Sequence, residues 1–186
     1  KPEINDIKHA LVERIGSGCI AEDIPYFLEI LTYDASDMDV TSREYASLKP
    51  HKVNGAMREF SKPRYNADVL KVEVPVNMNF VEDYTSEEPV YTADEARAYF
   101  KEQSEATHLP FIYLSAGVSA KLFQETLVFS KESGSTFNGV LCGRATWKDA
   151  VAIFAKEGEE AAKAWFADQG RRNDEELNDV LVTKAS

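Results

Sequence analysis

The chain has 186 residues, with 44% hydrophobic and 28% charged, a composition that fits one globular domain spanning 1–186 with a real core. A net charge of −11 argues against broad nucleic-acid binding, because a phosphate backbone needs a basic face, though a small anionic substrate can still meet a local positive pocket. No apolar run approaches the roughly 20 residues of a membrane span, so no membrane partner is expected and a cytoplasmic location is the default.

The first residue is Lys rather than Met, which reads as a processed or partial product. The first strand candidate is YFLEILTYD, residues 26–34. A polar, acidic loop over residues 33–45 leads to a helix over 44–60. The second strand candidate is VLKVEVPV, residues 69–76, followed by another long loop over 77–91. Thr92 and Glu95 have the spacing of a capping box and predict a helix over 92–106. FIYLS at 111–115 is the third strand. Leu122, Phe123, Leu127 and Phe129 then recur at helical spacing within 119–133. FNGVLC at 137–142 is the fourth strand, with a helix expected over 148–169 and a short last helix from Asn173 to about Leu181. Apolar strands alternating with helices predict an α/β fold, a parallel sheet covered on both faces. In such folds chemistry gathers at the carboxyl ends of the strands.

Lys71 stands in the middle of the second apolar run, where an ammonium leaves water at a cost. Glu73 shares its strand parity and is the expected partner that positions or tunes it. Leu70, Val72, Val74 and Val76 form the opposite, apolar face. Glu29 is a second charge inside an apolar run, in the first strand. Two readings stay open. One is a structural ion-pair network of buried groups. The other is a lysine that adds to a ketone, with Glu29 moving protons during carbon–carbon cleavage.

The third and fourth strands end in LSAGVS, from Leu114 and Ser115, and in CGRAT, with Gly143 and Arg144. Each joins a strand end, a glycine and a helix start, the local pattern that binds phosphate through backbone N–H groups. Arg144 adds a permanent charge with fork geometry. Cys142 reads as a packing residue. Cys19 and Cys142 lie far apart, and His9, His51 and His108 are isolated, so neither a metal nor a disulfide framework is expected, and no cofactor.

The segments HKVNGAM, DVLKVEVPVN, LPFIYLSAGVSAKLFQETL and FNGVLCGRATW resemble the class I tagatose 1,6-bisphosphate aldolase family of the bacterial tagatose 6-phosphate pathway. The resemblance runs from ERIGSG, near residue 13, to the end. It implies the C-terminal half of a (β/α)8 barrel, four strand–helix units of the eight. It implies metal-free cleavage of D-tagatose 1,6-bisphosphate to dihydroxyacetone phosphate and D-glyceraldehyde 3-phosphate, with tolerance of other hexulose bisphosphate stereoisomers. It places the Schiff base on Lys71, the acid/base role on Glu29 and the substrate phosphate on Ser115, Gly143 and Arg144, with Leu114 beside them. A family member would carry a further amino-terminal half bringing more site residues, so the isolated polypeptide is expected to be inactive or to aggregate. The alternatives are a related aldolase for another phosphorylated ketose, such as a sulfo-sugar phosphate, and an inactive half-barrel. The oligomeric state is left open.

Overall fold

The protein is described by a computed structural model covering residues 2–36 and 38–184; Asp37, within the expected 33–45 loop, lies outside the described residues. Four parallel strands form one sheet in the order β1-β2-β3-β4, each beside its neighbour in sequence. They are β1 (Phe27–Ile30), β2 (Val69–Val72), β3 (Phe111–Leu114) and β4 (Gly139–Leu141). All four expected strands are present, but each ladder is shorter than its apolar run. The register pairs Glu29 with Lys71, Lys71 with Ile112, and Ile112 with Gly139.

Paired residues in a parallel sheet share a face, and successive residues alternate between faces. Leu28, Ile30, Leu70, Val72, Phe111 and Tyr113 therefore point one way, and all are buried. Phe100, Phe123, Leu127 and Phe137 complete the same core. The helices that cover this face are α2 (Arg43–Phe60), α3 (Ala93–Glu105) and α4 (Ala120–Glu132). The second face carries Phe27, Glu29, Lys71 and Leu141, and here the expectation of a sheet covered on both sides fails. Phe27 and Leu141 are more than half exposed. A sheet with helices on one side and an open concave side is one half of a barrel wall, whose interior is filled by the facing strands.

The helices follow local rules. Ser42 caps α2 by accepting the Tyr45 N–H, and Ser119 caps α4 by accepting the Leu122 N–H. Thr92 and Glu95 make the expected capping box at the start of α3. A short α5 (Arg144–Trp147) comes first, and the expected single helix over 148–169 is broken into α6 (Asp149–Glu157), α7 (Glu159–Trp165) and a π-turn (Phe166–Gly170). Gly158 sits at φ +88, a conformation that ends a helix and suits glycine. The last helix, α8 (Arg171–Lys184), packs on α4.

One helix was not expected: α1 (Pro2–Ala21). It rests on the short 3-10 turn Pro63–Tyr65, with His9 edge-on to Phe60 and Tyr65. Gly16 permits this contact, because a Cβ there would lie 1.9 Å from the Tyr65 carbonyl oxygen. No helix among the described residues is long and apolar enough to cross a membrane.

Candidate active site

β1 and β2 bring Glu29 and Lys71 side by side on the concave face. Lys71 Nζ donates to Glu29 Oε2 at 3.0 Å. Their burial differs from the expectation of a fully desolvated cluster: the Lys71 side chain is 17% exposed and that of Glu29 is 48% exposed. The reason is the open face. Glu29 lies on the first strand of the sheet, and among the described residues no second sheet faces it. The pair is thus a solvent-accessible amine and carboxylate at hydrogen-bond distance, at the mouth of the sheet.

Glu73 does belong to a buried charge pair, but with another lysine. Its Oε1 lies 3.6 Å from Nζ of Lys49, which reaches in from α2, and both side chains are nearly covered. Burial pushes the Lys49 amine below its ordinary value, and the Glu73 charge pulls it partly back. The other oxygen, Oε2, accepts from the Thr32 N–H at 2.8 Å and the Thr32 hydroxyl at 2.7 Å. Tyr45 and Thr32 share a further hydroxyl contact at 2.8 Å. The Glu73 carbonyl accepts from Gln103 Nε2, and Gln103 Oε1 accepts from the Tyr113 hydroxyl. Tyr113 is fully buried with Ser130 and Ser135 around its hydroxyl, and burial pushes its phenol up to about 12. A continuous polar chain therefore ties the carboxyl ends of β1, β2 and β3 to α2 and α3.

The loops after β3 and β4 meet. Ser115 is buried beside Cys142, whose thiol burial pushes up and the Ser115 hydroxyl pulls partly back. Ala116 and Gly117 follow with φ of +50 and +77, and for Ala116 this backbone costs about 1 kcal/mol. Gly117 suits that backbone because side chains rarely adopt it, and Arg144 Cζ lies close by, 3.7 Å from where a Cβ would stand. Lys148 Nζ donates to the Gly117 carbonyl at 3.1 Å. Two cations and the amino terminus of α4 thus surround the residue 115–119 turn. Gly143 immediately precedes α5, with Arg144 as its first residue. A cavity of about 430 Å³ opens beside this turn, lined by Lys49, Glu73, Asn77, Leu114 and Ser115 among others. Among the described residues, no group of three His, Cys, Asp or Glu is placed to hold a metal.

The structure therefore joins Lys71 to Glu29, and Leu114 and Ser115 to the Gly143–Arg144 turn. It turns the Glu73 carboxylate toward Lys49 and Thr32. Lys49, Thr32 and Gln103 were missed in the sequence. A signal for Lys49 was present: it falls between Tyr45 and Val53 at four-residue spacing, on the apolar stripe of α2.

The model of the DeoC/LacD family of aldolases matches residues 1–149. The chain is 62% identical over 185 residues to tagatose 1,6-diphosphate aldolase 2 of Enterococcus faecalis, covering 100% of this chain and 56% of that protein. It is 61% identical over 184 residues to tagatose 1,6-diphosphate aldolase of Streptococcus pneumoniae, covering 99% of this chain and 56% of that protein. The chain thus spans little more than half the length of these curated relatives. Among solved structures, an archaeal fructose-1,6-bisphosphate aldolase, its catalytic Lys covalently bound to the carbinolamine intermediate of its substrate, superposes with a TM-score of 0.51 at 16% identity. That match covers 91% of this chain and 51% of the other, a likeness of fold. The architecture is that of four strand–helix units of a (β/α)8 barrel, and the chain belongs to the DeoC/LacD aldolase family.

Proposed function

We propose that this chain carries the lysine of a class I aldolase that cleaves D-tagatose 1,6-bisphosphate, a soluble sugar phosphate of the cytoplasm, to dihydroxyacetone phosphate and D-glyceraldehyde 3-phosphate. The observation that carries the reading is the Lys71–Glu29 contact at 3.0 Å, on adjacent strands of a chain so similar to tagatose 1,6-diphosphate aldolases. Family membership supports the reaction class.

The chemistry follows from the groups present. An amine attacks a carbonyl only when unprotonated, and Glu29 is the adjacent acceptor for the Lys71 proton. Addition to the substrate ketone forms a carbinolamine, and loss of water gives an iminium. Glu29 then removes the proton from the hydroxyl two carbons away. The carbon–carbon bond between them breaks, its electron pair enters the iminium, and the aldehyde leaves. Reprotonation of the resulting enamine and hydrolysis return dihydroxyacetone phosphate and the free Lys71 amine. Leu114, Ser115, Gly143 and Arg144 hold the phosphate that delivers the ketone, a role supported by the guanidinium lying against the Gly117 turn. The substrate phosphate is an anion, so Arg144 acts by charge and fork geometry and the amino terminus of α4 by its N–H groups.

The test is borohydride reduction in the presence of dihydroxyacetone phosphate, followed by peptide mass mapping, on the intact polypeptide that contains these residues. The adduct is expected on Lys71. An adduct on another lysine, or loss of cleavage on adding EDTA, would overturn the mechanism.

A further inference from the structure

Lys49 and Glu73 take no part in the imine chemistry above, yet they form the least exposed ion pair among the described residues. Their position explains why. β1 is a strand of four residues, and its ladder to β2 ends at Ile30 and Val72. Glu29 and Lys71 occupy the position just before that end. Strand ends fray, and a carboxylate on a fraying end wanders from its partner. Beyond the ladder, Glu73 takes over the pairing. One of its oxygens accepts two donors from Thr32, so the segment leaving β1 is fastened to the segment leaving β2. Thr32 is three residues past Glu29, and Glu73 is two past Lys71. A covered carboxylate needs a counter-charge as well as donors. Lys49 supplies it from α2. Gln103 fixes the Glu73 backbone from α3, so the fastening is anchored to two outer helices.

We propose that Lys49 and Glu73 are positioning residues, an ion pair that clamps Thr32 and thereby holds the Glu29 carboxylate at proton-transfer distance from the Lys71 amine. This rests on the roles given to Lys71 and Glu29 above. The pair borders the cavity beside the Ser115 turn, but its charges are engaged with each other and with Thr32, so its loss acts on the proton-transfer step and spares imine formation.

The experiment uses the intact polypeptide with Glu73→Gln, Lys49→Met, Thr32→Val and Thr32→Ser. Thr32→Val removes one of the two Thr32 donors and adds no charge, so it reports even if a Glu73 variant fails to fold. For Thr32→Val and Glu73→Gln, kcat for cleavage is expected to fall on the order of 10-fold to 100-fold, the scale of a misplaced catalytic group. KM stays within about twofold, and borohydride still traps dihydroxyacetone phosphate on Lys71. Thr32→Ser restores the hydroxyl and recovers most of kcat. The double variant Glu73→Gln with Lys49→Met is no slower than the slower single, because both remove one device. Values of kcat within twofold of wild type in Thr32→Val and Glu73→Gln would overturn the clamp. So would equal losses in Thr32→Ser and Thr32→Val, or losses of kcat that track melting temperature across the set. A wild-type protein that traps nothing on Lys71 would instead bring down the aldolase reading itself, and the clamp with it.

Discussion

Lys71 has two properties that can be separated, its charge and its capacity to form an imine. Lys71→Arg keeps a cation opposite Glu29 but offers a guanidinium, which stays protonated and forms no such adduct. We expect complete loss of borohydride trapping with a melting temperature close to wild type. Glu29→Gln divides the reaction differently. The imine still forms on Lys71, while cleavage falls by about 10²–10⁴, the range for loss of a positioned acid/base group. Glu59 offers a pH test unconnected with catalysis. Lys62, the Tyr65 hydroxyl and Arg64 converge on its carboxylate and lower it from 4.5 to about 2. The unfolded chain takes up that proton more readily than the folded one. The stability Glu59 contributes is therefore complete above about 4.5 and lost as pH falls toward about 2. Melting curves across that window should show a steeper fall for wild type than for Glu59→Gln. Equal slopes would mean the three partners do not act on the folded state.

Among the elements, α3 invites the simplest test. Thr92→Ala removes one half of a reciprocal cap and should cost about 1 kcal/mol in a denaturant titration. Gly16→Ala should destabilise more, by roughly 1–3 kcal/mol, because α1 must lift off the Tyr65 carbonyl to admit a methyl group. These elements also show what could be read beforehand. α3 and α4 were legible because Thr92 and Ser119 announce their starts. α1 was missed although Ile4, Ile7, Leu11 and Ile15 recur at helical spacing; the stripe they form faces outward. The strands were legible as apolar runs. Their ends were not, since the backbone ladder stops at Val72 while apolar residues continue to Val76. The Lys71–Glu29 pair could be found because each charge interrupts an apolar run. Lys49 could not be matched to Glu73, because that pairing depends on how α2 docks against the end of β2. The burial expected of Glu29 failed for a reason no local pattern contains: whether a sheet face is covered depends on strands elsewhere.

At the scale of the molecule, two apolar flanks lie at the two edges of the sheet. Phe27, Leu31 and the outward stripe of α1 lie on the β1 side, and Leu141, Trp147 and Phe154 on the β4 side, all substantially exposed. Trp147 is 42% exposed for this reason. Unpaired edges with apolar surroundings recruit other chains. We expect the purified 186-residue chain to self-associate, and Phe27→Lys with Leu141→Glu to raise the monomer fraction in sedimentation velocity without lowering the melting temperature. An unchanged size distribution would mean the association surface lies elsewhere. The strand order has a further consequence, for synthesis. Among the described residues, every strand pairs only with its immediate predecessor or successor in the chain. As the polypeptide leaves the ribosome, each new strand and helix meets a partner that is already there, and no early segment waits for one made much later. The sheet can thus be laid down in the order of translation.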